Sequence, residues 1–532
     1  MNFKLRNLVA ATLAGSFLMG FGANAMADST TDIVDALVAK GVMTDEEATL
    51  IKKGRTGEKE AQVAAAKKSE FDFINSDAPF KYDFKMGGHN ADIQMYGIVD
   101  VGAVTTNHSL PTNGSLPNQF YPYQNYNAAA GRQHGYNQGG LQDSRLGFKG
   151  GVDLFKVGEN NVKFIFQLEG GFNPIDGSLN NAAKTLSQNP NKGQNSTWAD
   201  SSLNGELFGR QAWGGVDAGQ LGKLTGGLQY NPFYNIFGEY DPTNKADTFS
   251  PFGESGTVGG GGGVSEDARM KNSIKYANEL NALDGKFTGS AIYQFGNASG
   301  DTSNGYGLGL QAGYENSMFG VQVAYDKFQD AIAAGTAGAA GIGTGATIAS
   351  VAGTLGSIGA DVYNTEATLV AFKFTPNKEW KVKAGWEWFE RQTPSDNLNY
   401  TDLWGYNSSI VAKYTNGTYR DYNVLFAGAE YNFGERFHDL DGLSLAVGYY
   451  DTILSAVTSG TGVKTLTGSD SSGRVGTWTA VVDYKINKRF DVYAAATQNH
   501  YTGSAVLGGG DMSAATGQTN INAIGTGVRM KF

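Results

Sequence analysis

The sequence predicts an all-β protein, a closed antiparallel barrel of sixteen strands that crosses a membrane. Three observations support this prediction. The chain begins with an export leader, hydrophobicity alternates with a period of two over segments of about ten residues, and the connections between these segments are alternately long and short. Because unpaired backbone groups are costly in hydrocarbon, a chain without long apolar helices can span a membrane only as a closed barrel.

Residues 1–27 have the pattern of a signal peptide. Lys4 and Arg6 form a basic start, Leu8–Phe21 is apolar, and an A-x-A cleavage pattern ends at Ala27. We therefore expect export across the inner membrane. Beyond this leader no stretch approaches the roughly 20 consecutive apolar residues that a membrane helix needs.

Composition restricts the possible functions. The 532 residues include 75 glycines and no cysteine, which excludes disulfides and thiolate chemistry. A formal net charge of −10 argues against nucleic acid as a partner. The five histidines are scattered and fall in none of the sequence contexts of metalloproteases or serine hydrolases. We therefore expect no catalytic residue, no metal site and no cofactor.

Residues 28–85 are predicted to form a short periplasmic helical segment ahead of the barrel domain, residues 86–532. The apolar residues Ile33, Val34, Leu37 and Val38 lie at helical spacing, and residues 44–47 match a helix capping box. The segment either contacts a partner, the cell-wall polymer or another copy of the chain, or it is a solvated spacer. The sequence leaves both interpretations open.

From Asp92 onward, alternation with a period of two predicts tilted membrane strands. In one clear case Trp478, Ala480, Val482 and Tyr484 alternate with Thr479, Val481, Asp483 and Lys485. The sixteen predicted strands are 92–105, 143–154, 160–171, 207–217, 222–230, 270–278, 286–297, 304–315, 318–328, 361–374, 379–390, 421–433, 442–453, 475–486, 488–499 and 519–531. Turns such as 157–159 are short, whereas 106–142 and 172–206 are long. This asymmetry is typical of outer-membrane barrels, whose periplasmic turns are short.

The stretch Asn231–Arg269 separates two predicted strands and carries several carboxylates. Connections this long without secondary structure of their own are uncommon and usually functional. We predict that it is an inward-folded third loop that narrows the lumen. Ala331–Gly359, which is rich in small residues, is expected to be an external loop.

The last strand carries a signal for localisation. Ile524, Thr526, Val528 and Met530 alternate with Gly525, Gly527, Arg529 and Lys531, and Phe532 ends the sequence. A terminal aromatic after such alternation resembles the assembly signal of Gram-negative outer-membrane barrels. It implies recognition by the barrel assembly machinery, contact with outer-membrane lipid and lipopolysaccharide, and localisation in the outer membrane.

Several segments in residues 92–300 resemble the general trimeric porins of Gram-negative bacteria, particularly the betaproteobacterial type. The resemblance implies a homotrimer that passes small hydrophilic solutes and ions by passive diffusion. The matching segments are IQMYGIVDVGAV (Ile93–Val104), SRLGFKGGVDLF (Ser144–Phe155), VKFIFQLEGGFNP (Val162–Pro174), LFGRQAWGGV (Leu207–Val216), LQYNPFYNIFGEYDP (Leu228–Pro242) and ARMKNSIKY (Ala268–Tyr276).

The same resemblance implies a pore constriction in which a ladder of basic side chains faces carboxylates of the third loop. The ladder residues are Arg145, Arg210 and Arg269, and Lys163 extends the basic wall by its place in the alternation. Among the loop carboxylates Asp241 has the best-matched position, and the other candidates are Glu254, Glu239 and Asp247. Ile98 stands where some relatives have a lysine. Charges fixed across a narrow waterway create a transverse field that hydrated ions and dipoles tolerate better than apolar solutes do.

Two other functions remain open. The first is a substrate-selective channel for phosphate, carboxylates or sugars, in which interior lysines favour anions; the candidates are Lys149, Lys163, Lys275, Lys381 and Lys383. The second is a surface or adhesive protein that uses the barrel as an anchor. An outer-membrane enzyme would need a catalytic constellation that this sequence does not display.

Overall fold

The computed structural model describes residues 76–107, 132–175, 177, 207–252, 264–265, 268–296, 305–336, 358–392, 411–413, 419–455, 472–503 and 519–532. The predicted signal peptide, residues 28–75 of the predicted helical segment and Glu254 lie outside the described residues.

Strands make up most of the described structure. They are β1 (Lys81–Met86), β2 (His89–Thr106), β3 (Gln133–Gln138), β4 (Arg145–Val157), β5 (Asn160–Gly171), β6 (Gln211–Asp217), β7 (Lys223–Tyr230), β8 (Val264–Ser265), β9 (Arg269–Ala282), β10 (Gly285–Gln294), β11 (Gly307–Asn316), β12 (Phe319–Thr336), β13 (Ile358–Phe374), β14 (Trp380–Gln392), β15 (Val411–Lys413), β16 (Tyr419–Asn432), β17 (Leu443–Leu454), β18 (Gly473–Lys485), β19 (Phe490–Gly503) and β20 (Asn520–Lys531). The helix α1 (Pro232–Tyr240) follows β7, and Gly219–Leu221 and His438–Leu440 are single 3₁₀ turns.

Sixteen of these strands form the wall of a closed barrel: β2, β4–β7, β9–β14 and β16–β20. Each pairs antiparallel with the next, and β20 returns to pair with β2. The predicted fold is therefore confirmed, with strand ends that differ from the prediction by a few residues. The largest difference is at β12 and β13, which pair through Thr336 and Ile358 and so extend into the predicted external loop.

The barrel closes at its C-terminal residue. The backbone of Phe532 exchanges two hydrogen bonds with Gly97 of β2, at 2.9 and 3.0 Å. The Phe532 ring lies where a Cβ at position 97 would be, so only glycine fits there. The edge of the ring meets Phe80 at 5.9 Å, and β1 pairs with the start of β2 just beyond. The sheet thus begins at Lys81, a few residues before the predicted domain boundary at 86.

The predicted alternation places apolar side chains outside and polar ones inside. On β18, Trp478, Val482 and Tyr484 are exposed on the outer surface, while Thr477 and Thr479 are buried within. An outward apolar band of this kind suits the hydrocarbon layer. Within the described part of the chain, none of the helices has the length and apolar character to cross a membrane.

The third loop enters the lumen directly after β7 and contains α1, which the sequence analysis did not predict. Asn231 caps the helix by accepting a hydrogen bond from the Tyr234 amide at 2.8 Å, and Pro232 occupies the first turn. The helix crosses to the wall formed by β11–β14. The loop returns as β8, which pairs with β12.

Aromatic side chains fasten the loop to the inner wall. Phe237 stacks on Phe252 at 3.9 Å, and Phe252 meets Phe426 of β16 and Tyr450 of β17 edge-on at 5.1 and 5.7 Å. Phe237 and Phe252 have no exposed surface. Because burying one such side chain stabilises a protein by about 1.5–3 kcal/mol, this cluster fixes the loop inside the barrel.

Candidate functional site

Two tyrosines join the third loop to the early strands. Tyr230 ends β7 and Tyr234 lies one helical turn later in α1, because the Asn231 cap and Pro232 start the helix between them. Their rings stack with centroids 3.8 Å apart and planes 3° apart. The stack makes the base of the loop a rigid continuation of the barrel wall.

Arg210 connects this stack to the wall. Its Nε donates to Glu169 at 2.8 Å, and Nη1 donates to Asp143 at 2.7 Å. Nη2 donates to the hydroxyls of Tyr230 and Tyr234 at 2.8 and 2.9 Å. Arg210 is 2% exposed, so the guanidinium holds the cluster together from a buried position.

Two further cations flank the tyrosines. The Lys245 Nζ lies 3.1 Å from the centroid of the Tyr234 ring, on the loop side. The Arg269 Cζ lies 5.4 Å from the centroid of the Tyr230 ring, on the wall side. Cations over aromatic faces are attracted by the ring quadrupole. The loop and the wall therefore both contribute positive charge here.

A cavity of about 340 Å³ opens beside this cluster, and Arg145, Tyr96 and Ile98 line its wall side. Lys245, Asp247 and Asn235 line its loop side. A second cavity of about 300 Å³ lies toward the ends of β14, β16, β18 and β20. Four residues line both cavities, and they mark the boundary between them: Leu141, Gln142, Gly238 and Asn244.

The structure brings the three predicted ladder arginines into one cluster around Tyr230 and Tyr234, but Lys163 lies elsewhere. Lys163 is near the short turn after β4 and forms an ion pair with Asp153 at 3.2 Å. The arginines also differ from one another, because Arg210 is buried in hydrogen bonds whereas Arg145 lines open space.

Asp241 does not face the arginines, contrary to expectation. It is 0% exposed and accepts hydrogen bonds from the Tyr450 hydroxyl at 2.6 Å and the Lys245 amide at 2.6 Å. The amide and the hydroxyl of Thr243 donate to it at 3.1 and 2.9 Å. Its oxygens are directed into the turn that follows α1 and toward β17, so the carboxylate organises the loop and contributes no lumen charge.

Asp247 is the loop carboxyl that reaches the arginine cluster. Its amide donates to the Leu141 carbonyl at 3.2 Å, and its side chain is hydrogen-bonded to Asp143. Burial, together with the neighbouring Asp143 carboxylate, raises the pKa of Asp247 well above its usual value. Burial opposes ionisation of Asp143 too, but Arg210, the hydrogen bond with Asp247 and the charge of Arg269 together outweigh it and lower the Asp143 pKa. Of these two carboxyl groups, Asp247 is therefore the first to take up a proton as the pH falls.

The remaining candidates have partners away from this cluster. Glu239 is largely exposed and lies 3.7 Å from Lys373 on β13. The interior lysines are also occupied: Lys149 lies 5.3 Å from the Tyr96 ring centroid, Lys275 donates to the Tyr230 carbonyl at 3.2 Å, Lys381 pairs with Glu430 at 3.5 Å and Lys383 donates to the Asp241 carbonyl at 2.9 Å. Among the described residues there is no cluster of three carboxylate or imidazole groups that could hold a metal ion.

Five residues of the cluster were not anticipated: Asp143, Glu169, Tyr230, Tyr234 and Lys245. Alternation along the strands could have indicated two of these residues. Glu169 points to the same face of the sheet as Lys163, and Asp143 points to the same face as Arg145. The spacing of Tyr230 and Tyr234 would place them together at a helix start. Lys245 has no local signal, because its position depends on the buried Asp241.

Comparisons with known proteins agree with this architecture. Residues 86–504 match the family described as Gram-negative porin. An outer-membrane porin protein of Bordetella pertussis is 25% identical over 255 residues, which are 44% of this chain and 54% of that protein. The chain thus spans about half the length of this curated relative.

Two solved structures align with most of this chain. The anion-selective porin from Comamonas acidovorans has a TM-score of 0.50 at 15% identity, over 83% of this chain and 100% of that one. The trimer form of OmpT from Vibrio cholerae has a TM-score of 0.46 at 12% identity, over 83% of this chain and 99% of that one. The family match covers well over half of the sequence and coincides with the closed barrel, and the chain therefore belongs to the Gram-negative porin family.

Proposed function

We propose that this protein forms a water-filled pore in the outer membrane, through which small hydrophilic solutes and ions diffuse down their gradients. The observation that carries the proposal is the third loop, which crosses a closed barrel and borders two cavities that charged side chains line. A barrel that served only as an anchor would not need a loop fastened across its lumen. The family and the fold indicate a channel, not an enzyme.

Within this pore, the cavity beside Arg145 is the constriction. Arg145 provides the basic side of its wall, while Arg269 lies against the Tyr230 ring and does not line the cavity. Asp247 is the loop carboxyl at this constriction, the position that was expected for Asp241. Arg210 supports them from a buried position, since it binds Glu169 and Asp143. Removing Arg145 takes a charge out of the pore, whereas removing Arg210 disturbs its framework.

The protein lies in the outer membrane, as its family and its curated relative do. We propose that it assembles there as a homotrimer, with outer-membrane lipid and lipopolysaccharide around it, after recognition of Phe532 by the barrel assembly machinery. We further propose that residues 28–85 contact a partner or the cell-wall polymer in the periplasm. Chemical cross-linking of intact outer membranes, with trimers as the expected largest product, tests the assembly.

Conductance across a planar bilayer tests the function. We expect large, water-like conductance steps, grouped in threes for a trimer, and a changed unit conductance in Arg145→Ala. Lys163→Ala is the matched control, because Lys163 is paired with Asp153 outside the cluster. Absence of conductance from correctly folded protein would favour the anchor function instead.

A substrate-selective channel for anions is the second candidate. It is favoured by one observation, namely that Lys245 adds positive charge to the loop side of the constriction. A small conductance that one solute blocks would support this candidate over general diffusion.

A further inference from the structure

One strand lies outside the closed barrel and continues its wall. β1 pairs with residues 89–94 of β2, whereas β20 leaves β2 at Gly97, through the backbone of Phe532. β1 therefore lies beyond the rim that β20 marks. All six of its residues are exposed, and within the described chain no strand pairs with its second edge. Because an open edge has unpaired backbone groups and cannot lie in hydrocarbon, β1 extends into water.

The neighbouring hairpin projects in the same direction. β4 and β5 stay paired as far as Val157, while β6 leaves β5 at Lys163. Together with the β1–β2 hairpin, this projection forms a flap that comprises residues 81–93 and 153–163. Both hairpins turn within two residues, and the short turns of outer-membrane barrels lie on the periplasmic side. The flap is therefore in the periplasm.

The outward face of the flap is apolar. Tyr82, Phe84 and Met86 of β1 are 66%, 46% and 53% exposed, and Phe155 and Val157 of β4 are 59% and 49% exposed. Single apolar side chains are common on a protein surface, but a contiguous apolar patch in water marks a site of interaction. The flap therefore has the character of an interface.

Strand pairing shows that these side chains point away from the lumen. The cross-strand pairs are Tyr82 with Ile93 and Phe155 with Val162. Tyr96 on β2 and Glu169 on β5 line the cavity of the constriction. Each is an odd number of residues from the flap residue on its own strand, and successive side chains of a strand point to opposite faces. The paired apolar residues are therefore on the outer surface.

The inward face of the flap is polar and already paired. Asp153 forms an ion pair with Lys163 at 3.2 Å and accepts a hydrogen bond from Asn90 at 3.3 Å. On β1, Lys81 and Asp83 are paired at 3.0 Å. The outward face is therefore the one that gains from being covered, since removing apolar surface from water is favourable.

The barrel wall that the flap continues differs from the rest of the barrel. On β9–β18, tyrosine and tryptophan side chains are exposed on the outside; they are Tyr276, Trp380, Trp386, Trp478 and Tyr484. Such side chains form the girdles that contact lipid headgroups. On β19, β20, β2 and β4–β7, the described outward positions carry no tyrosine or tryptophan. This part of the wall is suited to contact with protein.

We propose that the flap is an interface between copies of this chain, in which the apolar face of one flap packs against the flap of the next copy in the periplasm. A second copy is the partner because the flap continues the part of the wall that lacks a lipid girdle. In a ring of subunits each copy offers one patch and receives another. The inference rests on the proposed homotrimer and adds to it a contact outside the membrane.

The first test is cross-linking between introduced cysteines, which the cysteine-free chain makes specific. Tyr82→Cys is combined with Phe155→Cys, since β2 separates the two positions within one subunit. A short bismaleimide applied to intact outer membranes is expected to give covalent trimers that persist in hot detergent. The control combines Leu283→Cys with Phe437→Cys, which are exposed in other connections at the same end of the barrel, and it is expected to give monomers.

The second test measures how fast purified trimers dissociate in detergent at a fixed temperature. Phe155→Ser is expected to raise the rate at least about tenfold, because burial of one phenylalanine is worth more than a tenfold factor in affinity. Leu283→Ser is expected to leave the rate unchanged. The heat-dependent mobility of the barrel in gel electrophoresis confirms that each variant is folded. If Phe155→Ser does not fold, Met86→Gln takes its place.

The outcomes separate this interface from the homotrimer itself. Trimers whose flap cysteines stay unlinked, and which dissociate equally fast with Phe155→Ser, overturn the flap interface and leave the homotrimer standing. Linkage of the flap cysteines to a protein of another mass overturns the second copy as the partner. A wild-type protein that is monomeric in the outer membrane refutes the homotrimer, and the flap interface with it.

Discussion

Tyr234 in the third loop stacks on Tyr230 at the end of β7, with ring centroids 3.8 Å apart and nearly parallel planes, and Arg210 donates a hydrogen bond to each hydroxyl. Lys245 and Arg269 cover the outer faces of the pair. The four side chains thus form one stack of cation, ring, ring and cation that runs from the loop to the wall. It holds positive charges at fixed positions in the lumen, since none of the four groups can move without losing a partner.

The first prediction concerns the stack. Tyr234→Ala removes both the ring contact and a hydroxyl, whereas Tyr234→Phe keeps the ring. Because an aromatic pair contributes about 0.5–1.5 kcal/mol beyond its buried area, we expect Tyr234→Ala to loosen the base of the loop. The measurable result is increased open-channel current noise in Tyr234→Ala and near wild-type noise in Tyr234→Phe. Equally quiet channels in both variants would contradict a role of the stack in holding the loop.

The second prediction concerns Arg210. Arg210→Met leaves Glu169 and Asp143 without their buried partner, and breaking such a pair costs about 3–5 kcal/mol. We expect a clearly lower free energy of unfolding in detergent, measured by urea titration with tryptophan fluorescence.

Arg474→Met is the matched control for that experiment. Arg474 donates two hydrogen bonds to Asp451, at 2.5 and 2.7 Å, but its side chain is 57% exposed. Exposed ion pairs contribute only about 0–1 kcal/mol. Similar losses for the two variants would mean that Arg210 is not the hub of its cluster.

The strands could be predicted because their information is local. Successive side chains of a strand point to opposite faces of the sheet, so the outward position of Trp478 and the inward position of Thr479 can be inferred from the few residues around them. Even the exception is instructive. Residues 421–433 lack a clean apolar face because Val424 and Phe426 point inward, where they pack against the third loop, while Leu425 points outward.

The constriction could be predicted only in part. Arg145, Arg210 and Arg269 lie on or next to the wall strands. Their positions could be predicted from the family resemblance and from the alternation of inward and outward side chains. The role of Asp241 depends on Tyr450, 209 residues away in sequence, and nothing near Asp241 encodes that contact. Its burial also explains why Lys245 was missed, since the turn that presents Lys245 exists only when Asp241 is held.

The third prediction concerns the aromatic anchor of the loop. Phe252→Ala removes the ring that stacks on Phe237 and contacts Phe426, and truncating a buried phenylalanine costs about 3–5 kcal/mol. Because the loop obstructs the lumen, we expect its release to raise the unit conductance. Phe437→Ala is the control, since Phe437 is exposed. An unchanged conductance in folded Phe252→Ala pores would show that the loop keeps its place without this anchor.

The fourth prediction concerns pH. Burial opposes ionisation of the Tyr234 hydroxyl, but Lys245, Arg210, Arg145 and Arg269 outweigh it and lower its pKa to about 6. Above that pH the ring carries a negative charge, and below it the ring is neutral. Acidification therefore adds one positive charge to the constriction and strengthens anion preference.

We expect the chloride-to-potassium permeability ratio to rise about threefold between pH 7.5 and 4.5, the effect of one unit charge near the ion path. Tyr234→Phe isolates this step, because phenylalanine keeps the stack but cannot ionise. Asp247 also gains a proton as the pH falls, so a smaller rise is expected to remain in that variant. If Tyr234→Phe shows the full rise, the titrating group is a carboxyl such as Asp247, and the low pKa of Tyr234 is refuted.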